Sequence, residues 1–295
     1  MRFTKAHGTG NDFVVLADLD GTIDLTPALV RALCDRRTGV GADGVLRITG
    51  TDAGGAVFMD YRNADGSVVE MCGNGVRVVA KHVVDHDLAA PDADGRLVVD
   101  TRAGARPVAV HRGAGGAVER VTVWMGAPAV SATAVALDVS DPAGGRHTLE
   151  VEHDGRRHAL DVVTVSMGNP HVVTLVDDVA VAPVTTLGPV VETDPRFGEG
   201  TNVEFLEVTA PDHARLRVWE RGVGETMSCG TGACAALVAA QRLGRLGTAA
   251  SIDVPGGRLE LVHDPDADPQ VRMTGPAVEV AHGELDRAWL AAVRA

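Results

Sequence analysis

Residues 72–75, CGNG, and residues 229–232, CGTG, are two copies of one short motif, and they decide the fold. In each copy a cysteine precedes a Gly-x-Gly turn. Apolar residues with helical spacing follow, over 76–84 (VRVVAKHVV) and 233–242 (ACAALVAAQR). The second segment favours a helix more clearly because alanine has the highest helix propensity. The motif therefore predicts one helix start in each half of the chain.

The similarity between the halves extends beyond the cysteines. Residues 10–15 (GNDFVV) resemble residues 168–173 (GNPHVV) at an offset of 158 residues, whereas the cysteines are 157 residues apart. Two further resemblances occur in the same order: 61–63 (YRN) with 219–221 (WER) at the offset of 158, and 126–130 (GAPAV) with 275–278 (GPAV). This repeat predicts a duplicated domain. We expect one half at 1–128, completed by the tail 276–295, and a second half at 129–275.

Short β-branched segments between these motifs predict strands. They lie at 14–16, 56–59, 97–99, 121–124, 172–175, 203–206 and 216–219. The strands do not alternate regularly with helices, so a doubly wound parallel sheet is disfavoured and an α+β fold is expected. Residues 39–44 (GVGADG) satisfy a dinucleotide-binding pattern, but a predicted helix precedes them and a strand follows. That order is the reverse of what the pattern requires.

The two motifs also predict a chemistry. Backbone N–H groups at a helix start lack an intrahelical partner and can bind a carboxylate, and the glycines allow a ligand to approach closely. The helix dipole is expected to lower the pKa of the thiol. If Cys72 and Cys229 flank one carbon, a thiolate can remove a proton from one face while a thiol supplies one to the other. We interpret Cys34 and Cys234 as buried packing residues.

Composition limits the classes of binding partner and the cellular compartment that we expect for this chain. The chain has 295 residues and a formal net charge of −13, which disfavours nucleic acid as a partner. Four cysteines without a CxxC spacing do not predict a disulfide framework, and no run is long enough for a membrane span. We expect a cytoplasmic homodimer with a small-molecule substrate and no membrane partner. Eleven histidines occur without HExxH or a comparable spacing, so no metal is expected.

Three segments closely resemble motifs of the diaminopimelate epimerase family: 5–13 (KAHGTGNDF), 63–77 (NADGSVVEMCGNGVR) and 220–233 (ERGVGETMSCGTGA). The resemblance runs from residue 3 to about 278. It implies two pseudo-symmetric α/β domains, each a mixed or antiparallel sheet wrapped around a central helix, with the active site in the cleft between them. It implies conversion of LL- to meso-2,6-diaminopimelate for lysine and peptidoglycan precursors, without pyridoxal phosphate or metal.

The resemblance also implies roles for individual residues. Cys72 would be the proton donor and Cys229 the proton acceptor in the LL-to-meso direction, and His171 and Glu220 match positions that tune the cysteines. The implied substrate-binding residues are Asn11, Asn63, Gly73, Asn74, Asn169, Asn202, Glu220, Arg221, Gly230 and Thr231. An arginine can hold the distal carboxylate with two parallel hydrogen bonds. Many relatives carry a glutamine where this chain has Gly44, so a side-chain contact to substrate is expected to be missing there.

Three other functions remain open from the sequence. A proline or hydroxyproline racemase shares the shorter CGxG pair and would differ in substrate. A cysteine hydrolase or transferase would use Cys229 as nucleophile and His171 as base, and it would form an acyl-enzyme. A binding protein for a small zwitterion would bind its ligand without exchanging the α-hydrogen.

Overall fold

The computed structural model describes residues 1–137 and 145–294, and the chain forms two compact units. The first comprises Met1–Val123 with Thr274–Ala295, and the second comprises Trp124–Met273. Both boundaries lie a few residues before those expected from the repeat. Within the described residues, no helix is long and apolar enough to cross a membrane.

Eighteen strands, five α-helices and one 3-10 helix (Thr133–Val135) make up the regular structure of the described residues. The strands are β1 (Arg2–Gly8), β2 (Asn11–Ala17), β3 (Gly44–Thr49), β4 (Val57–Asn63), β5 (Val68–Val69), β6 (Arg96–Thr101), β7 (Gly104–Arg112), β8 (Val118–Trp124), β9 (Arg146–His153), β10 (Arg156–Ser166), β11 (Pro170–Leu175), β12 (Asn202–Ala210), β13 (His213–Glu220), β14 (Gly224–Thr226), β15 (Ala249–Val254), β16 (Gly257–Asp264), β17 (Asp268–Pro276) and β18 (Val278–Glu284). The helices are α1 (Pro27–Cys34), α2 (Gly73–Asp85), α3 (Val184–Glu192), α4 (Gly230–Arg242) and α5 (Arg287–Arg294).

The first unit is a mixed sheet around a central helix. Its strands pair in the order β18, β1, β2, β3, β4, β6, β7, β8, with β5 also paired to β4. The β2–β3 and β4–β6 pairs are parallel, and the other pairs are antiparallel. Helix α2 contacts seven of these strands, and 11 of its 13 residues are buried. The predicted central helix of this unit is therefore confirmed.

The second unit repeats this topology. Its strands pair in the order β9, β10, β11, β12, β13, β15, β16, with β14 also paired to β13. The β11–β12 and β13–β15 pairs are the parallel ones. Helix α4 packs against β10, β11, β12, β13 and β16, and its small alanines allow close approach. The parallel pairs thus occupy equivalent places in the two units, as a duplication predicts.

Strand register corrects one detail of the repeat. Phe13 pairs with Gly44 across β2 and β3, and His171 pairs with Asn202 across β11 and β12, which fits the offset of 158. In the next strand, however, the offset is already 157. Tyr61 pairs with Val69 in the first unit, and Val218 pairs with Thr226 at the equivalent place in the second unit. Asn63 therefore corresponds to Glu220. The match of 61–63 with 219–221 was wrong by one residue, because one residue is lost between β3 and β4 rather than after β4.

Candidate active site

Cys72 is the N-cap residue of α2. Its backbone is extended, with φ −144° and ψ 116°, and its Sγ accepts a hydrogen bond from the Gly75 N–H at 3.5 Å. A Cβ at position 75 would lie 3.0 Å from the Leu46 side chain, so glycine fits this turn where a larger residue would crowd it. Gly73 and Asn74 are the first two residues of α2, so their N–H groups belong to the first turn of the helix. The sequence predicted this helix start correctly.

Two asparagines surround the Cys72 thiol. The Asn11 Oδ1 atom lies 3.7 Å from Cys72 Sγ, and it accepts a hydrogen bond from Asn74 Nδ2 at 3.3 Å. The Asn11 Nδ2 group in turn donates to Asp43 Oδ2 at 2.8 Å. The structure therefore brings Asn11, Cys72 and Asn74 together, as the resemblance implied, and it adds Asp43, which the sequence did not indicate.

A buried arginine donates a hydrogen bond to the Asn74 side chain in this turn. Arg77 is fully buried, and its Nη2 donates to Asn74 Oδ1 at 2.7 Å and to Thr9 Oγ1 at 3.0 Å. Its Nε donates to the Pro276 carbonyl at 3.2 Å. The guanidinium thus fixes the Asn74 amide and places a positive charge one helical turn from the thiol. Sequence reasoning missed Arg77, although a charged residue within the apolar face of a predicted helix was a usable signal.

Asn63 and Gly44 lie opposite each other on β4 and β3. Asn63 Nδ2 donates to Ser67 Oγ at 3.1 Å, within the β4–β5 turn. A Cβ at Gly44 would lie 2.4 Å from the Arg62 carbonyl oxygen and 2.6 Å from the Tyr61 ring. Position 44 therefore has no room for a glutamine side chain in this backbone.

Cys229 is the N-cap residue of α4, in the same arrangement as Cys72. Its backbone has φ −112° and ψ 113°, and its Sγ accepts from the Gly232 N–H at 3.4 Å. The Thr231 hydroxyl lies 3.5 Å from the sulfur. Gly230 is the first residue of the helix and is buried. Both cysteines thus cap helices through the same sulfur-to-backbone contact.

A chain of polar side chains runs behind the Cys229 turn. Asn169 Nδ2 donates to Thr231 Oγ1 at 3.4 Å, and Asn169 Oδ1 lies 3.0 Å from His171 Nε2. His171 Nδ1 lies 2.6 Å from Glu204 Oε1, and the side chains of both residues are fully buried. Glu204 was not predicted as a site residue. Its Oε2 is buried and has no hydrogen-bond partner in the structure.

Three further predicted residues lie at the ends of β12 and β13. Asn202 Nδ2 donates to the Pro170 carbonyl at 2.8 Å, and Asn202 Oδ1 accepts from the Arg221 backbone N–H at 3.0 Å. Asn202 therefore fixes the backbone on both sides of it. Glu220 accepts a hydrogen bond from the Thr226 hydroxyl, and the Arg221 guanidinium lies 3.4 Å from the Glu199 carbonyl oxygen.

Burial and negative charge raise the pKa of Cys229 well above its usual value. Burial is the larger cause, and the carboxylates of Glu220 and Glu204 add to it, while contacts from Thr231 and Gly232 act in the opposite direction. Burial also raises the pKa of Glu204, opposed by His171 and reinforced by Glu220. The expectation that the helix start alone lowers the thiol pKa was wrong for Cys229, because desolvation outweighs the dipole.

Comparison with known proteins identifies relatives over nearly the whole chain. The family model described as diaminopimelate epimerase matches residues 3–130 and 163–280. The diaminopimelate epimerase of Acidovorax ebreus is 45% identical over 294 residues, covering 97% of this chain and 98% of that protein. The diaminopimelate epimerase of Streptomyces coelicolor is 43% identical over 309 residues, covering 99% of this chain and 98% of that protein.

Solved structures with lower sequence identity share the fold. A PhzF-family phenazine biosynthesis protein of Bacillus anthracis superimposes with a TM-score of 0.68 at 17% identity, covering 97% of this chain and 99% of that chain. A hydroxyproline epimerase from Agrobacterium vitis gives a TM-score of 0.68 at 15% identity, covering 98% and 93%. At these identities the similarity concerns the fold alone.

Proposed function

The chain belongs to the diaminopimelate epimerase family and is an isomerase of the epimerase class, and from this premise we propose how its own residues invert the substrate carbon. In this proposal Cys72 and Cys229 act as a pair of acid and base on opposite faces of the α-carbon of 2,6-diaminopimelate. The observation that carries it is the identical placement of the two thiols, each an N-cap residue of the central helix of its unit.

Inversion requires two groups. A single base that returned its proton to the face from which it came would retain the configuration, whereas a second acid on the other face inverts it. In the LL-to-meso direction Cys229 accepts the α-proton and Cys72 donates one, and the roles exchange in reverse. Because the domain is duplicated, each unit carries one copy of the cysteine turn and contributes one of the two groups. The scheme uses no electron-sink cofactor, because the stabilisation is assigned to backbone N–H groups.

The helix starts are proposed to bind the α-carboxylate. The N–H groups of Gly73 and Asn74, and of Gly230 and Thr231, belong to the first turns of α2 and α4, and the start of a helix favours a bound anion. Negative charge grows on the carboxylate as the α-proton leaves. Donors that are already oriented stabilise that charge without reorganisation.

The raised pKa of Cys229 makes it a thiol in the substrate-free chain. It must release this proton to solvent water before it can act as a base. We assign this step to substrate binding: the ammonium group beside the reacting carbon pairs with the Glu220 carboxylate. This removes part of the repulsion that keeps the proton on sulfur. Arg221 is assigned to the distal carboxylate, and Asn11, Asn63 and Asn169 to the remaining polar groups of the substrate.

Substrate profiling tests the proposal. LL-Diaminopimelate should be converted to the meso isomer, and the α-hydrogen should exchange with solvent deuterium, while L-proline and trans-4-hydroxy-L-proline should show no exchange. Turnover of the proline compounds in place of diaminopimelate would instead indicate a proline or hydroxyproline racemase. Binding of diaminopimelate without any exchange would indicate a binding protein, and a trapped acyl-enzyme would indicate a hydrolase.

We also propose a cytoplasmic homodimer. The catalytic thiols must remain reduced, and the cytoplasm maintains that state. Light scattering at assay concentration should give about twice the chain mass of 30.6 kDa. A mass equal to one chain would contradict the dimer and leave the proposed chemistry unaffected.

A further inference from the structure

Three histidines and one glutamate gather at the C-terminal end of α2, away from the helix start that carries Cys72. His82 lies in the last turn of α2, and His86 is its C-cap residue. Glu279 and His282 lie on β18, almost 200 residues further along the chain. The proposed epimerase chemistry uses none of these four residues.

Local geometry places all four side chains on one side. His82 and His86 are four residues apart, so they are neighbours on the helix surface. Residues three apart on a regular strand point to opposite faces. Here the register of β18 with β1 shifts between Lys5 and Ala6, which pair with Ala281 and Glu279. This bulge inserts one extra residue, and Glu279 and His282 consequently face the same way.

The nitrogen atoms of the histidines converge on the Glu279 carboxylate. His82 Nδ1 lies 2.6 Å from Oε1, His86 Nε2 lies 3.0 Å from Oε2, and His282 Nε2 lies 3.5 Å from Oε2. The ligand atoms of His82, His86 and Glu279 all lie within 4.8 Å of one another. The ring centroids of His86 and His282 are 5.4 Å apart.

Supporting contacts orient this cluster. The Thr4 hydroxyl lies 2.9 Å from His282 Nδ1, which turns the opposite ring nitrogen toward Glu279. Such contacts to the second ring nitrogen are typical of metal-binding histidines.

We propose that His82, His86, Glu279 and His282 form a binding site for a divalent transition-metal cation, with Zn²⁺ as the ion of best fit. Zn²⁺ prefers four ligands in a tetrahedron and accepts imidazole nitrogen and carboxylate oxygen at about 2.0–2.2 Å. Ligands at that distance are roughly 3.3–3.6 Å apart, so His82, His86 and Glu279 need only small side-chain shifts to accept the ion, and the more exposed His282 side chain moves further to become the fourth ligand. Four protein ligands leave no open position, which is the pattern of a structural site.

The bound ion would link the central helix to the strand formed by the C-terminal part of the chain. This assigns it to the stability of the first unit and not to the reaction. The histidines of HxxxH at 82–86 have the same spacing as the two histidines of HExxH, so the expectation of no metal overlooked this pair, and ExxH at 279–282 is too short a pattern to indicate a site alone.

Zn²⁺ binding by calorimetry tests the proposal. The chain is first freed of metal with a chelator, and the Cys72→Ala/Cys229→Ala variant is used so that the active-site thiols cannot bind the ion. One Zn²⁺ should bind per chain. At a Zn²⁺ concentration about 100 times the Kd, the melting temperature should rise by roughly 5 °C. Co²⁺ should give visible bands of a four-coordinate site with no thiolate charge-transfer band.

Matched variants locate the binding. His86→Ala and His282→Ala change side chains that are 38% and 56% exposed, so the fold should tolerate them. Each should weaken Zn²⁺ binding by about 100-fold, and Thr4→Val should weaken it by about tenfold. His111→Ala, on the exposed part of β7, should leave it unchanged. Binding that survives His86→Ala and His282→Ala together, or no binding by the folded parent variant, would overturn the proposal.

Discussion

The two cysteine turns share one backbone arrangement but differ in the buried polar side chains that surround them. By strand register, Phe13 and Leu46 of the first unit correspond to His171 and Glu204 of the second. Leu46 is the side chain nearest to a Cβ at Gly75, and Glu204 is the one nearest to a Cβ at Gly232. An apolar pair in one unit is therefore an imidazole–carboxylate pair in the other.

The two central helices also differ at one equivalent position, where the first unit has the charged side chain and the second the small one. Five residues after each thiol stands Arg77 in α2 and Cys234 in α4, and both are fully buried. The first unit thus has a buried arginine on the helix that begins at Cys72, and the second has a buried histidine–glutamate pair beside the turn of Cys229. Both units therefore have the same cysteine turn, as a duplication predicts. Different side chains pack against the two turns and give the two thiols different electrostatic surroundings.

Removal of either thiol should have the largest effect. Cys72→Ala and Cys229→Ala should each lower kcat for epimerisation by about 10³-fold or more, since each deletes one of the two groups that transfer the proton. Cys34→Ala and Cys234→Ala are matched controls, because both cysteines are buried packing residues, and they should keep near-normal turnover. Near-normal turnover in either active-site variant would refute the paired scheme.

Arg77→Ala should have the largest effect on stability. It removes the hydrogen bonds that Arg77 donates to the Asn74 amide, the Thr9 hydroxyl and the Pro276 carbonyl inside the protein, so the free energy of unfolding should fall by roughly 3 kcal/mol. Cys234→Ala at the equivalent place in α4 removes only a small apolar group and should cost about 1 kcal/mol. Urea denaturation measures both. Equal losses would show that the Arg77 hydrogen bonds add nothing to the fold.

The smallest effect on stability is expected when the second unit receives the apolar pair of the first. His171→Phe/Glu204→Leu should leave the free energy of unfolding unchanged or raise it by about 1–2 kcal/mol, because an apolar pair avoids the desolvation of buried charge. The pKa of Cys229 should fall, since one of the carboxylates that raise it is gone. Thiolate absorbance against pH, with Cys229→Ala as the blank, measures that shift.

Two results would contradict this account of Cys229. An unchanged titration of the thiol in the double variant would show that Glu204 has no influence on it. A rise of the pKa would show that the carboxylate acts in the direction opposite to the one assigned. Glu204→Leu alone is expected to cost about 1–3 kcal/mol, because His171 then loses its buried partner.

The sequence predicted the parts of this comparison that depend on local pattern. A cysteine before Gly-x-Gly and an apolar helical run specify a helix start, and both starts were correct. The repeat predicted two similar units, although it misplaced the register of 61–63 by one residue. The resemblance to the family motifs indicated Asn11 and Asn74 for the site that contains Cys72, and Asn169 and His171 for the site that contains Cys229.

The parts that failed depend on tertiary surroundings. Glu204 in the strand segment VEF resembles an outward-facing residue in the sequence. Only the pairing of β11 with β12, which places Glu204 opposite Val173, brings its carboxylate within hydrogen-bond distance of His171. The dipole argument for a lowered thiol pKa ignored the burial of Cys229, which is 5% exposed. For Gly44 the sequence predicted only that a side-chain contact is missing, and the structure adds the reason, since the Tyr61 ring and the Arg62 carbonyl leave no space for a side chain there.

Deuterium labelling during a single direction of turnover tests the central claim most directly. LL-Diaminopimelate is converted in deuterium oxide, and both product and remaining substrate are analysed by mass spectrometry and NMR at low conversion. Two thiols on opposite faces predict that the meso product carries one deuterium at the inverted α-carbon while the remaining LL substrate is unlabelled. Meso product that retains the original α-hydrogen would contradict the account, because one group would then have moved the proton.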